Sequence, residues 1–85
     1  MKIAVNRDWG YAEIPEELKC ELEERGVYGN SVRTDPELIA WVESHEEETG
    51  LCVFSVPDET SDWSLFDYDG METLIYVVEG KILSI

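Results

Sequence analysis

The chain has 85 residues, of which 44% are hydrophobic and 11% aromatic, a composition that predicts one small folded domain over residues 1–85 and excludes a disordered tail. Twenty Asp and Glu face six Lys and Arg, which gives a net charge of -14 at pH 7. This charge excludes direct binding to nucleic acids and to anionic membranes, and it predicts that any protein partner presents a basic surface.

The first predicted element is a short β-strand over residues 2–6. The apolar run from Met1 to Val5 is too short for a signal peptide or a membrane span, so we expect the protein to act inside a cell. Trp9 and Gly10 interrupt the strand pattern.

Residues 15–25 are predicted to form the first helix. Pro15 suits a first helical turn, and Gly26 suits the position after the last. Glutamates cover most of the helix, and one narrow apolar stripe is expected to pack: Ile14, Leu18 and Leu22.

After a predicted loop over residues 27–34, a second helix is expected to start near Thr34 and to end at Gly50. Thr34 and Glu37 fit a capping box, and alternatively Asp35 caps a helix whose first residue is Pro36. One stripe of this helix is expected to face the core: Leu38, Trp41, Val42 and His45.

Beyond Gly50 the sequence pattern becomes typical of strands, with β-branched and aromatic runs at 51–56, 63–68 and 73–78. Asp69-Gly70 between two such runs predicts a tight hairpin of type I′. A turn at residues 79–81 allows residues 82–85 to add a final strand.

The predicted fold class is therefore α+β, in the order β-α-α-β-β-β with that further C-terminal strand, and both helices pack on one face of a small antiparallel sheet. We expect Arg7 and Glu72 to form a structural ion pair. The predicted core contains Leu18, Leu22, Leu38, Trp41, Val42, Val53, Ile75 and Val77.

No enzyme motif, cofactor site or metal site is predicted. His45 is the single histidine, and no Ser or Cys accompanies it in a recognisable motif, so we interpret it as a packed or helix-end residue. Cys20 and Cys52 lack the C-x-x-C spacing and are expected to be small, buried or half-buried hydrophobic residues without a disulfide.

The acidic residues near the Asp69-Gly70 turn resemble a calcium loop only superficially. Such a loop places acids at three alternate positions before its glycine, and the first of these positions is occupied by Leu65. The hairpin turn accounts for Asp69 and Gly70 without a metal.

Acidic residues fall into three groups. The second group opposes the dipole of the helix that carries it, which suggests selection for binding, and it is our first candidate for contact with a basic partner: Glu43, Glu46, Glu47 and Glu48. Part of the third group, in the hairpin, is the second candidate: Asp67, Asp69 and Glu72. The alternative is a solvated surface that serves solubility only. The first group lies on the first helix, and the third also includes residues before the hairpin: Glu13, Glu16, Glu17, Glu21, Glu23, Glu24, and Asp58, Glu59, Asp62.

Three segments resemble a family of small acidic proteins encoded by bacteriophages and prophages. They are Met1-Lys2-Ile3 through Asn6-Arg7, Arg33-Thr34-Asp35-Pro36-Glu37-Leu38-Ile39, and Val56-Pro57-Asp58 with Tyr68-Asp69-Gly70-x-Glu72. The sequence departs from the family at residues 8–11 and lacks its basic, aromatic C-terminal tail. The resemblance implies a phage origin and the cytoplasm of a bacterial host.

Small acidic phage proteins without an enzyme motif resemble, as a class, the inhibitors that phages direct against bacterial defence, among them anti-CRISPR proteins. The analogy implies a non-enzymatic, stoichiometric inhibitor that covers a basic nucleic-acid-binding or PAM-reading surface of a CRISPR effector nuclease by charge mimicry. The alternative is a phage accessory or regulatory protein, or an antidote to a basic toxin, that binds another basic protein.

Overall fold

The computed structural model describes residues 1–9, 14–45 and 49–85. Within these residues the fold is α+β, as predicted, and the chain adds the fifth strand that the last turn allowed. The elements in chain order are β1 (Lys2–Asn6), α1 (Glu16–Glu24), a 3₁₀ helix (Gly29–Thr34), α2 (Pro36–Ser44), β2 (Leu51–Ser55), β3 (Thr60–Tyr68), β4 (Met71–Val78) and β5 (Lys81–Ser84).

The described strands form two antiparallel sheets rather than the single sheet that we expected. β1 pairs with β2, from Lys2 opposite Ser55 to Asn6 opposite Leu51. The other three strands form a separate meander in the order β3-β4-β5. The β1–β2 pair lies between the helices and the three-stranded sheet, which gives the molecule three layers.

Strand β1 is buried on both faces because it occupies the middle layer. Ala4 packs with α2 residues in one hydrophobic cluster, whereas Ile3 and Val5 pack with Leu74 of β4 in the other. All three β1 residues are fully buried. Apolar residues at consecutive strand positions are typical of strands that are covered on both sides.

The predicted core is partly confirmed. Leu22, Leu38 and Val42 are buried, as predicted. Leu18, Trp41 and Val53 are half-buried and pack against the hydrophobic cluster that Ala4 forms with α2. The core also contains residues that we had not assigned to it: Ile3, Ala4, Val5, Ile39, Leu51, Val56 and Leu74.

We predicted that Ile75 and Val77 of strand β4 face the core, but the alternate residue Leu74 does so instead. Leu74 is fully buried, and Ile75 and Val77 are half-buried on the opposite face of the sheet. Both sets of positions in β4 are apolar, so alternation could not distinguish the inner face from the outer one.

The helix ends follow local capping chemistry. Helix α1 matches the prediction to within one residue at each end. The carboxylate of Asp35 caps α2 by accepting hydrogen bonds from the N–H groups of Glu37 at 3.1 Å and Leu38 at 3.3 Å. Asp35 rather than Thr34 is therefore the N-cap, and the predicted loop before it contains the 3₁₀ helix. Helix α2 ends at Ser44, earlier than the predicted Gly50.

Both predicted turns in the meander are confirmed. Asp69 and Gly70 have φ angles of 50° and 89°, and Glu79 and Gly80 have 52° and 77°. Positive φ at both central residues is the requirement of a type I′ hairpin. No helix in the described part of the chain is long and apolar enough to cross a membrane.

Candidate functional site

The glutamates of α1 form an exposed acidic helix face. Leu22 is buried and anchors the helix, while the described acidic side chains of this group are exposed to solvent. Glu13 lies outside the described residues. The exposed members are Glu16, Glu17, Glu21, Glu23 and Glu24.

The first candidate group for partner binding is described only at Glu43. This residue is exposed, and its carboxylate is 3.0 Å from Nζ of Lys2, with which it forms an ion pair between α2 and β1. Glu46, Glu47 and Glu48 lie outside the described residues, so their role stays a prediction.

The second candidate group is divided between the surface and the interior. Asp67 and Asp69 are exposed, as are the earlier members of the third acidic group, Asp58, Glu59 and Asp62. Asp67 accepts a hydrogen bond from the Gly70 N–H at 2.7 Å, which supports the turn. Glu72, by contrast, is only 8% exposed.

Glu72 is the centre of a buried polar cluster. Its two carboxylate oxygens accept hydrogen bonds from Nη1 and Nη2 of Arg33, at 2.5 and 2.8 Å, and Oε1 also accepts one from the Asn6 N–H at 2.7 Å. The fork of the guanidinium matches the carboxylate in this bidentate geometry. Arg33 also donates to the carbonyl oxygen of Ala4 at 3.1 Å.

The predicted ion pair between Arg7 and Glu72 is therefore corrected. Arg7 Nη1 donates to main-chain carbonyl oxygens, that of Glu72 at 2.9 Å and that of Ile85 at 3.2 Å. The carboxylate itself faces Arg33, which comes from the end of the 3₁₀ helix. No local sequence spacing connects residues 33 and 72, so sequence reasoning missed Arg33.

Residues of the three sequence segments behind the family resemblance meet at this cluster. Asn6 belongs to the first segment, Arg33 to the second, and Gly70 and Glu72 to the third. Asn6 Nδ2 also donates to the Gly70 carbonyl oxygen at 2.6 Å. These residues thus hold the β1–β2 pair, the 3₁₀ helix and the hairpin together.

A cavity of about 190 Å³ opens beside the cluster. Ile14, Leu38 and Leu51 contribute apolar wall, and the polar lining comes from the cluster and from Asp67. Because Arg33 and Glu72 pair with each other and join three elements, we assign the cluster a structural role.

A second polar cluster fixes the start of α2. Arg25 donates two hydrogen bonds to the Asp35 carboxylate, at 2.9 and 3.0 Å. The hydrogen bonds from Arg25, together with those from the main chain of Leu38 and Glu37, hold the pKa of Asp35 below its ordinary value. The same contact raises the pKa of Arg25.

The pKa of Glu37 is shifted in the opposite direction to that of Asp35. Contact with the Glu21 carboxyl group of α1, together with partial desolvation and repulsion from neighbouring carboxylates, raises the pKa of the exposed Glu37 above its ordinary value. Arg25 Nη2, at 3.6 Å, offsets this only in part.

His45 is confirmed as a helix-end residue. It is the C-cap of α2, its ring stacks on Trp41 with centroids 4.9 Å apart, and Nδ1 lies 2.8 Å from the Trp41 carbonyl oxygen. A protonated Nδ1 donates to this oxygen, so the ring is held by its own helix.

The cysteines are both unpaired, and Cys52 is half-buried as expected. Cys20 is exposed on α1, which corrects the expectation that it is interior. Across the described ranges no group of three or more His, Cys, Asp or Glu is arranged to hold a metal ion.

A scan against protein-family models, a search of curated proteins and a search of solved structures each found no match.

Proposed function

We propose that this protein is a phage-encoded, stoichiometric inhibitor of a bacterial defence system, an anti-CRISPR protein that covers a basic nucleic-acid-binding or PAM-reading surface of an effector nuclease. The observation that carries the proposal is the uncompensated acidity of the exposed surface. The family resemblance and the analogy with small acidic phage inhibitors supply the biological class.

The distribution of the six basic side chains supports this proposal. Lys2, Arg25 and Arg33 form ion pairs with acids of the same chain, and Arg7 donates to carbonyl oxygens. Four of the six basic side chains are therefore bonded to groups of the same chain. The exposed carboxylates lie on α1, around β3 and at the hairpin turns, and they outnumber the two remaining cations, Lys19 and Lys81, which are also exposed. A partner therefore meets a predominantly acidic surface.

The dimensions of the molecule are compatible with mimicry of a DNA segment. Its longest axis is 39 Å, and duplex DNA of this length carries roughly 23 phosphate charges at one per about 1.7 Å. The chain has 20 Asp and Glu, a charge of the same order. A channel lined with Lys and Arg attracts either molecule.

The first test separates an inhibitor from an enzyme. DNA cleavage by purified CRISPR effector nucleases is measured while the protein is titrated against a fixed effector concentration. We expect inhibition to saturate near an equimolar ratio. Inhibition by substoichiometric amounts would indicate turnover, and absence of inhibition across the effectors would favour the accessory or antidote role.

The second test asks whether the first candidate group, Glu43, Glu46, Glu47 and Glu48, is the contact. Replacing Glu43, Glu46, Glu47 and Glu48 by lysine should weaken inhibition and relieve competition with DNA. The matched control replaces four exposed α1 residues, Glu16, Glu17, Glu23 and Glu24, and changes the net charge equally. Equal loss in both variants would assign the effect to total charge, and full inhibition by the first variant would refute the mimicry.

The kinetics of association provide a third test. If charge guides the encounter, the association rate should fall steeply as added salt shortens the Debye length, while the dissociation rate changes less. Surface plasmon resonance at several salt concentrations measures both rates. An association rate independent of salt would exclude electrostatic guidance.

A further inference from the structure

The outer face of the three-stranded sheet is unusually apolar for a surface that none of the described helices covers. In the register of β3, β4 and β5, residues directly opposite one another share a face, so Leu65 and Leu74 mark the inner side. The alternate positions of the paired strands point outward. Six of them are apolar or aromatic, Phe66, Tyr68, Met71, Ile75, Val77 and Ile82, and four are polar, Asp62, Ser64, Thr73 and Ser84.

Three of the six apolar residues on this face are largely exposed, and Met71, Ile75 and Val77 are half-buried. Ile82 is 75% exposed, Phe66 62% and Tyr68 65%. Trp9, also largely exposed, contacts Tyr68 edge to face with ring centroids 6.1 Å apart and so extends the surface. An antiparallel sheet with one solvated face normally places polar residues there, and contiguous apolar surface on a small protein marks an interaction site.

Carboxylates border this apolar surface at both ends. Asp69 lies in the β3–β4 turn and Glu79 in the β4–β5 turn, at opposite ends of the sheet. Asp62 is the charged residue among the outward-facing positions, opposite Val77. The surface therefore has an apolar centre and an acidic border.

A second copy of the chain fits this face poorly. Strands of nine, eight and four residues, about 4.8 Å apart, present roughly 330 Å², about two fifths of the 800 Å² per partner that a standard interface buries. Two copies would also bring together molecules that each carry a charge of -14.

We propose that the outer face of the β3-β4-β5 sheet docks a protein surface whose apolar centre is flanked by Lys and Arg. Such a partner covers the apolar side chains and pairs with the acidic border, which enlarges the contact beyond the sheet itself. This inference rests on the proposed function, since it specifies the surface through which a basic partner is held after electrostatic encounter.

The test uses two synthetic peptides of equal length and charge, one alternating leucine with lysine and one alternating serine with lysine. We expect the leucine peptide to bind the full-length protein about tenfold more tightly by isothermal titration calorimetry, because its leucine side chains cover apolar surface that the serine side chains do not. The double variant Phe66→Ser and Ile82→Ser should remove that difference.

Tyr28→Ser is the matched control. Tyr28 is 65% exposed, lies at the start of the 3₁₀ helix, and is not part of the sheet. The control variant should keep the tenfold preference, and circular dichroism should show that both variants are folded. Equal binding of the two peptides, or an unchanged preference in the double variant, would overturn the inference.

Analytical ultracentrifugation of the protein alone tests whether a second copy of the chain covers this face instead. A dimer that forms at micromolar concentration and is lost in the double variant would show that a second copy covers the face, and would also overturn the inference. Failure of the proposed function is separate, since it appears as absence of effector inhibition by the unmodified protein.

Discussion

At the scale of single residues, the Glu72 carboxylate illustrates how an acidic side chain can be structural in a protein whose acidity is otherwise exposed. It accepts hydrogen bonds from Arg33 and from the main chain of Asn6 inside the molecule. Glu72 is therefore not part of the exposed acidic surface. Removing its charge leaves the Arg33 guanidinium without a counter-charge in a partly buried position, which is costly.

We expect Glu72→Gln to lower the free energy of unfolding by about 2 to 4 kcal/mol, because the neutral amide cannot balance Arg33. Glu79→Gln, at an exposed turn, is the control and should change it by less than about 0.5 kcal/mol. Urea unfolding followed by circular dichroism measures both values. Equal stability of the two variants would contradict the structural role.

The Asp35 carboxylate should make stability depend on pH in the acidic range. Because the folded-state pKa of Asp35 is lowered, its contribution is fully present above the unfolded pKa of about 3.9 and is lost as pH falls through the folded value. We expect Asp35→Asn to be less stable than the parent at pH 7, and the difference to shrink as the pH falls below about 3.9. Thermal melts across this range check it, with Glu59→Gln as the exposed control.

The contribution of Glu37 to stability should depend on pH in the opposite direction to that of Asp35. Its folded-state pKa is raised by the contact with Glu21, so its contribution is present below the unfolded pKa and is lost as pH rises through the folded value. Glu37→Gln, which stays neutral, should therefore raise the melting temperature at pH 7 and leave it unchanged near pH 3. A lower melting temperature at pH 7 would show that the contact with Arg25 dominates.

At the scale of elements, turns and caps are determined by a few residues. Asp35 and Pro36 start α2, and two turns with positive φ produce the β3-β4-β5 meander. Gly50 has a different role, because it precedes β2 and its carbonyl oxygen accepts a hydrogen bond from the Arg7 N–H at 2.9 Å. It joins β1 to β2 where their backbones approach closely.

Gly50→Ala and Gly80→Ala form a matched pair. The two glycines have φ angles of 74° and 77°, so both substitutions carry the left-handed penalty of about 1 to 2 kcal/mol. A Cβ at Gly80 meets nothing within 4 Å, whereas at Gly50 it would lie 2.9 Å from the Asp8 Cβ. We expect Gly50→Ala to be the more destabilising in urea unfolding. Equal destabilisation would mean that the Asp8 segment moves away freely.

At the scale of the whole molecule, three layers bury the apolar side chains while carboxylates cover much of the outside. Few of these carboxylates have a cationic partner, because three of the basic residues are used in ion pairs between elements. Repulsion among the remaining acids opposes folding. With 20 acidic and six basic residues, the net charge is -14, so most carboxylates have no cation to neutralise them.

Salt should therefore stabilise this protein. Between about 0.01 M and 1 M sodium chloride the Debye length falls from about 30 Å to about 3 Å, which screens the repulsion between exposed carboxylates. We expect the melting temperature to rise by several degrees, since about 1 kcal/mol shifts it by roughly 4 to 8 °C in a domain of this size. A melting temperature that falls with salt would show that the ion pairs outweigh the repulsion.

The sequence by itself determined the features that depend on neighbouring residues. Pro15 placed the start of α1, Asp35 and Pro36 that of α2, and Asp69-Gly70 the hairpin, because capping and turn geometry are local. Composition determined the acidity of the surface. The order of helices and strands, and hence the α+β class, followed from the period of the apolar residues.

Only the tertiary structure decided how these elements face one another. β1 pairs with β2 and separates two apolar clusters, which no local pattern specifies. Arg33 rather than Arg7 reaches the Glu72 carboxylate, across 39 positions of the chain. In β4, where both faces are apolar, packing on β1 selected Leu74 for the interior and left Ile75 on the outer face. Contacts between distant residues depend on the whole arrangement of layers, and that information is absent from any short window of sequence.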